Sequence, residues 1–310
     1  MIISASRRTD IPAFFSDWFF NRINDGYLLV RNPINSHQIS RISLSPHVVD
    51  CIVFWSRNPK RMIDRLHLID KYNYYFQFTI TTYGQLLEPN VPTSEEAVDV
   101  FNKLSQKIGK NRVIWRYDPI ILTDKIDMKY HIASFENIAK QLVGKTHRCV
   151  ISFLDLYKKT VRNIAPIAVT DITAEMMIDL ARALSLLASR YDIELVSCAE
   201  KIDLLSHGIK HGKCIDDKLI EEICGFALQI EKDKTQRAEC GCVASIDVGD
   251  YNTCPHGCLY CYANSSADKV KLNHALHNPH SPLLLGEVKL GDKIIDRQVL
   301  SCKVIQQSLL

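Results

Sequence analysis

Short apolar runs separated by helical patterns recur along the chain. Ile2–Ala5, Cys51–Trp55, Tyr74–Ile80, Val113–Tyr117, Cys149–Phe153 and Glu194–Ser197 are brief, mostly continuous in apolar residues and rich in β-branched or aromatic side chains. Runs of this kind read as strands buried on both faces. Between them, helical spacing covers roughly 12–23, 59–69, 128–143, 174–190 and 202–207. Thr93-Ser-Glu-Glu96 has the form of a helix start, with a capping threonine and early acids. Tyr27–Arg31 and Gln38–Leu44 read as a hairpin around Asn32-Pro-Ile-Asn35. At least six strand–helix units alternate, which predicts an α/β protein on a parallel sheet covered by helices. The first expectation is a closed or partial (β/α) barrel of TIM-like form, and the second is a doubly wound open sheet. In either, chemistry gathers at the carboxyl ends of the strands.

Those ends are polar. Ser6-Arg7-Arg8-Thr9-Asp10 follows the first strand, Ser56-Arg57-Asn58 the second, Thr81-Thr82 the third and Arg116-Tyr117-Asp118 the fourth. The fifth carries Ser152 and Asp155, the sixth Ser197, Cys198 and Glu200. A rim of arginines beside carboxylates suits an anionic or zwitterionic ligand, because a guanidinium grips a carboxylate or phosphate with two parallel hydrogen bonds. Arg7, Arg8, Asp10, Arg116 and Asp118 are therefore candidate catalytic residues, and Arg57, Ser152 and Glu200 candidate cofactor contacts. Plainer readings stand beside these. Arg7-Arg8 also suits a solvated turn, Asp118 the extended position before Pro119, and Glu200 the start of a helix.

After about residue 230 the pattern changes. Residues 231–237 form a charged linker, and five of the 11 cysteines then fall between Cys240 and Cys261. The expected division is a barrel domain over 1–232 and a cysteine-rich, cluster-binding module with a tail over 233–310. Cys254, Cys258 and Cys261 have the spacing C-x3-C-x2-C, with Pro255 and Gly257 suited to a tight loop. Such a loop can give three thiolates to one [4Fe-4S] cluster and leave the fourth iron open to an outside ligand. The rival is a zinc knuckle with His256 or His274 as fourth ligand. Cys240 and Cys242 either close that cluster or join Cys214 in a second metal site, zinc or iron–sulfur, with His211 or Cys224 as further candidates. Cys51, Cys149 and Cys302 read as buried small hydrophobes. Cys198 also borders an apolar run, but it would lie at a strand's functional end.

The triple-cysteine spacing, with Tyr260 before the last cysteine, resembles the signature of radical S-adenosylmethionine (SAM) enzymes. Cys240-Gly-Cys242 through Tyr262-Ala-Asn264, with Ser6-Arg-Arg-Thr-Asp10, resembles a bacterial family of unassigned function and, more distantly, spore photoproduct lyase-type proteins. The resemblance implies that the open iron chelates SAM, whose reductive cleavage gives a 5′-deoxyadenosyl radical. It also implies a low-potential donor such as ferredoxin or flavodoxin, with Tyr260 among the cofactor contacts. The chain departs from the superfamily in one respect: the loop comes late, where radical SAM enzymes carry it after the first strand.

Composition narrows the partners without naming a substrate. With 38 Lys and Arg against 35 Asp and Glu, the net charge of +3 gives no support to a nucleic-acid partner. No apolar run reaches membrane-spanning length. Met1-Ile-Ile-Ser4 lacks the pattern of a secretory signal, so a reducing cytoplasm is expected. There, clustered cysteines bind metal more often than they pair. A non-catalytic iron–sulfur protein and a zinc-stabilised binding or hydrolytic module are the alternatives to a radical SAM-like enzyme.

Overall fold

The computed structural model describes residues 1–155 and 158–304. Its strands are β1 (Ile2–Ala5), β2 (Tyr27–Arg31), β3 (Gln38–Ser43), β4 (Cys51–Ser56), β5 (Tyr74–Thr79), β6 (Val113–Ile120), β7 (Arg148–Phe153), β8 (Glu194–Ser197), β9 (Lys210–His211), β10 (Ile246–Asp247) and β11 (Lys293–Asp296). Eight of them form one sheet in the order β10-β1-β4-β5-β6-β7-β8-β9, and all neighbours run parallel. The expected α/β class and parallel sheet are therefore present. From β1 to β9 the strands lie side by side in chain order. Among the described residues β9 and β10 are the two edges, so the sheet is open and the expected closure is not seen.

Strand alternation decides what each face meets. Ile3, Ile52, Phe54, Phe76, Trp115 and Ile151 point to one face, where they pack with Phe19, Phe101, Phe135 and Leu184 of the helices Ser16–Asp25, Ser94–Ile108, Met128–Gln141 and Ala174–Arg190. Ile2, Val53, Tyr75, Ile114, Val150 and Val196 point to the other. That second face is covered mainly by an irregular segment rather than by the expected helices: Cys214, Ile215, Cys240, Cys242 and Val243 pack there, with only the short helix Asp217–Cys224. Tyr75 Oη and Gln77 Nε2 both donate to the Cys214 carbonyl, at 2.7 and 2.8 Å, pinning the segment to the sheet.

Local signals explain most helix ends. Thr93 and Glu96 form the expected capping box. The pattern over 12–23 breaks into Ile11–Phe14 and Ser16–Asp25, because Phe15 leaves helical geometry. The pattern over 59–69 likewise splits into Lys60–Ile63 and the 3-10 turn Leu66–Ile69, and that over 202–207 leaves only a 3-10 turn at Leu205–His207. The expected hairpin forms, and β2 and β3 take β11 as a third, parallel strand. Residues before and after position 232 thus share both sheets. The last six residues of the expected module lie outside the described residues. No helix among the described residues is long and apolar enough to cross a membrane.

One buried polar group ties β6 to the helix that follows it. His131 is fully buried, with Nδ1 2.8 Å from Tyr117 Oη and Nε2 2.9 Å from the Ile121 carbonyl. Burial pushes His131 below its ordinary value of 6.5. Below that value the unfolded chain takes up a proton that the folded site resists. The stability this residue contributes is thus present above the ordinary value and lost as pH falls. We expect the urea midpoint to drop between about pH 7.5 and pH 5.5, and to drop less in His131→Gln, which cannot titrate there.

Candidate active site and the two cysteine groups

The carboxyl ends of the parallel strands open into a cavity of about 860 Å³, within the range of cofactor-sized sites. Its wall takes Arg7, Arg8 and Asp10 from beyond β1, Trp55 and Arg57 from β4, Arg116 and Asp118 from β6, and Ser152 from β7. Cys254, Cys258, Tyr260 and Cys261 close one side, and Cys198, Cys214, Cys240 and Cys242 another. The structure thus gathers almost every residue singled out by sequence. Among the candidate catalytic and cofactor residues Glu200 is the exception, since it lies outside the lining. Its carboxylate accepts the Phe153 backbone N–H at 2.8 Å, and burial raises its pKa to about 7.

Asp10 and Asp247 hold the mouth together. Asp10 Oδ1 accepts from the Ala13 amide at 2.9 Å and Ser56 Oγ at 2.7 Å. Its Oδ2 accepts from the Arg57 amide at 2.8 Å and contacts His256 Nε2 at 2.9 Å. This carboxylate, expected to be catalytic, therefore caps a helix, fixes the end of β4 and anchors the cysteine loop. Asp247, which the sequence reading did not single out, accepts from Ser4 and Ser6 Oγ at 3.0 and 2.5 Å and from the Arg7 amide at 2.8 Å. Gly249 fits tightly beside it, since a Cβ there would lie 2.1 Å from Ser6 Oγ. Gly257 has φ +72°, and a Cβ would stand 3.1 Å from Asn90 Nδ2, so glycine suits the closest turn of the loop. His256 also faces the Asn90 carbonyl with Nδ1 at 3.3 Å. Both of its ring nitrogens are thereby engaged. His274, the other expected zinc ligand, packs against Phe14 and Phe15 and lies outside the cavity lining.

Beside this loop, Arg57, Glu88, Thr81 and Tyr260 form one network. Arg57 Nη1 lies 2.8 Å from Glu88 Oε1 and 3.0 Å from Thr81 Oγ1, and Tyr260 Oη bonds both Arg57 and Glu88. Burial opposes the charge on Arg57, but Glu88, Tyr260, Cys258 and Asp118 outweigh it and raise its pKa. Burial also pushes the Cys258 thiol up to about 12 and that of Cys254 well above its ordinary value, with Arg57 pulling Cys258 the other way. A metal reverses such a shift by taking the thiolate directly.

The second cysteine group surrounds Arg116. Its Nη1 lies 2.6 Å from Cys214 Sγ, its guanidinium sits 5.2 Å from the centre of the Trp55 ring, and its far nitrogen pairs with Asp118. Ser152 Oγ bonds Asp118 as well, so both residues form one set with Arg116. Cys198 Sγ is 3.1 Å from Cys214 Sγ. Cys242 is within thiol hydrogen-bonding reach of both Cys214 and Cys240. The further candidates lie elsewhere: Cys224 Sγ faces the Asp50 carbonyl, and His211 Nδ1 faces Ser197 Oγ. Among the described residues, no three His, Cys, Asp or Glu side chains already converge on one point as ligands of a metal ion.

The profile of a family described as a domain of unknown function (DUF1848) matches residues 2–263. The chain belongs to the DUF1848 family. No curated protein matches it. The match ends just past Cys261, so in this DUF1848 chain both cysteine groups and the whole strand rim fall inside the family region.

Glu88, Trp55 and the anchoring role of His256 were not foreseen. Glu88 precedes Pro89 in a turn with no periodic signal, and its partner Arg57 is far away in sequence. Trp55 reads as core, yet its Nε1 is buried with no hydrogen-bond partner. For this DUF1848 chain we expect Asp10→Ala to lower the free energy of unfolding by about 3 kcal/mol or more, because it strands several buried donors. Chemical denaturation monitored by circular dichroism measures the change.

Proposed function

We propose that this chain is an iron–sulfur enzyme of the radical SAM type, with Cys254, Cys258 and Cys261 as the thiolates of a [4Fe-4S] cluster. The observation that carries this reading is the commitment of the nearest rival ligands. Cys242 adjoins Cys214 and Cys240 adjoins Cys242, instead of the loop, and both nitrogens of His256 are engaged. This favours a cluster held by three cysteines over one closed by Cys240 or Cys242, and over a zinc knuckle completed by His256. The site chemistry fits: three thiols on a loop braced by Asp10, at the carboxyl ends of parallel strands, facing a cavity of cofactor size. The likeness to radical SAM enzymes, and the more distant one to spore photoproduct lyase-type proteins, belongs to this reading.

When bound, a cluster with one open iron supplies an electron to a chelated SAM, whose cleavage provides a radical for hydrogen abstraction from substrate. The chain's own residues bind and orient. Arg57 and Tyr260, fixed by Glu88, set the polar wall beside Cys258. The Trp55 Nε1–H offers a donor to a bound ligand. Arg7 and Arg8 supply positive charge on the β1 side of the mouth, where an anionic or zwitterionic group would dock. Ser152 and Asp118 hold the Arg116 guanidinium in place. A low-potential donor of the ferredoxin or flavodoxin kind would reduce the cluster.

The test is anaerobic reconstitution with iron and sulfide, followed by dithionite and SAM. We expect 5′-deoxyadenosine to form and the electron paramagnetic resonance signal of the reduced cluster to shift on adding SAM. Cys258→Ala is expected to reduce both to the level of cluster-free protein. An intact cluster with neither response to SAM would sink the enzyme reading, and colourless protein carrying zinc at these cysteines would replace it.

A further inference from the structure

Four of the remaining cysteines meet at one place. Cys198 directly follows β8, Cys214 follows β9, and Cys240 and Cys242 flank Gly241 on the returning segment. They come from three stretches of chain, yet they form one continuous group. Cys198 Sγ is 3.1 Å from Cys214 Sγ, Cys214 adjoins Cys242, and Cys242 adjoins Cys240. We propose that Cys198, Cys214, Cys240 and Cys242 form a second metal site, separate from the Cys254 loop, that takes a thiophilic centre through four thiolates: a zinc ion or a second iron–sulfur cluster.

Ordinary core packing does not account for this group. A lone buried thiol behaves as a small hydrophobe, as Cys149 does inside β7, where its sulfur faces backbone groups, the Val150 carbonyl at 3.9 Å among them. Four neighbouring thiols, one pair of them with sulfurs 3.1 Å apart, share instead one donor chemistry, soft and suited to zinc or iron–sulfur centres. The surroundings match a site that carries negative charge when its thiols ionise. Arg116 Nη1 lies 2.6 Å from Cys214 Sγ, and Arg7 lies near Cys242. A neighbouring guanidinium favours thiolate over thiol. The Ile215 amide donates to Cys242 Sγ at 3.4 Å, an outer hydrogen bond of the kind that orients and tunes a metal-binding sulfur.

Geometry and access are also compatible. The sulfurs are strung in a chain and do not surround a common point, which is why no ready-made set of ligands is present. Rotation of one cysteine between staggered χ1 positions carries its sulfur about 3 Å. Sulfurs around a tetrahedral zinc stand about 3.8 Å apart, given the Zn–S distance of about 2.3 Å. Side-chain rotation thus moves a sulfur by a distance comparable to the spacing zinc requires, while a cluster needs a wider opening toward the cavity. All four cysteines line that cavity, which supplies the entry path. Tyr75 and Gln77 clamp the Cys214 carbonyl, so the backbone at Cys214 is set by the sheet and not by the Cys254 loop.

The experiment uses the full chain with Cys254, Cys258 and Cys261 all replaced by alanine, made anaerobically with iron and zinc supplied. Metal and acid-labile sulfide are counted per chain. We expect this variant to keep one centre: zinc without sulfide identifies a single ion, and iron with sulfide identifies a cluster. Adding Cys240→Ser or Cys198→Ser should lower the retained metal by about tenfold or more, at least what losing an outer partner of a metal ligand costs. Cys224→Ser should leave it unchanged. The proposal is overturned if the triple variant has a native circular dichroism spectrum but holds neither zinc nor iron, or if the added serines leave its metal content unaltered. Should the triple variant fail to fold, the wild-type chain decides by thiol alkylation read by mass spectrometry. Protection of these four cysteines that a chelator removes supports the site, and labelling that ignores the chelator overturns it. Loss of metal at Cys254, Cys258 and Cys261 alone bears on the radical SAM reading and leaves this one intact.

Discussion

The cysteine loop is held where it is by one buried carboxylate. Asp10 gathers a helix start, the end of β4 and His256 around its two oxygens. A carboxylate with that many partners is costly to disturb, because each donor left behind is buried without an alternative. Its consequence is geometric. A loop that arrives late in the chain is fixed against the end of the first strand, and Cys254, Cys258 and Cys261 face the same cavity as the strand rim. A site assembled from such distant parts needs rigid supports, and Asp247 provides a second brace from β10 to the turn after β1.

The alternation of the sheet does the rest of the positioning. Trp55, Gln77, Arg116, Ser152 and Cys198 share strand parity with Val53, Tyr75, Ile114, Val150 and Val196, so they point to the face that the long helices do not cover. Near the amino ends of the strands that face is filled by apolar side chains and the returning segment. Toward the carboxyl ends it opens, and the same parity places polar and sulfur groups in the opening. The apolar half excludes water from one side of the site, which strengthens the charge interactions around Arg116 and Arg57.

Both arginines sit beside thiols and are balanced by acids: Arg57 by Glu88, Arg116 by Asp118. The pairing keeps the guanidiniums charged despite burial. It also gives each cysteine group a fixed positive neighbour. The chain presents seven cysteines to one cavity and sets an arginine beside each group, where a neighbouring guanidinium favours thiolate over thiol.

By itself the sequence determined the six main strands, the hairpin, the parallel class and the polar rim, though not the short strands β9, β10 and β11, because the former rest on local periodicity and on the rule that function collects at strand carboxyl ends. It also marked C-x3-C-x2-C, whose meaning lies in its spacing. It left open what Cys240 and Cys242 do, missed Glu88, and gave no sign of the anchoring that Asp10 performs. The covering of the second face by residues 214–243 was equally hidden. Each of these turns on contacts between residues far apart in the chain, such as His256 with Asp10 or Cys198 with Cys214. Periodicity reports which side of an element is buried, and only tertiary packing decides which distant side chain it is buried against.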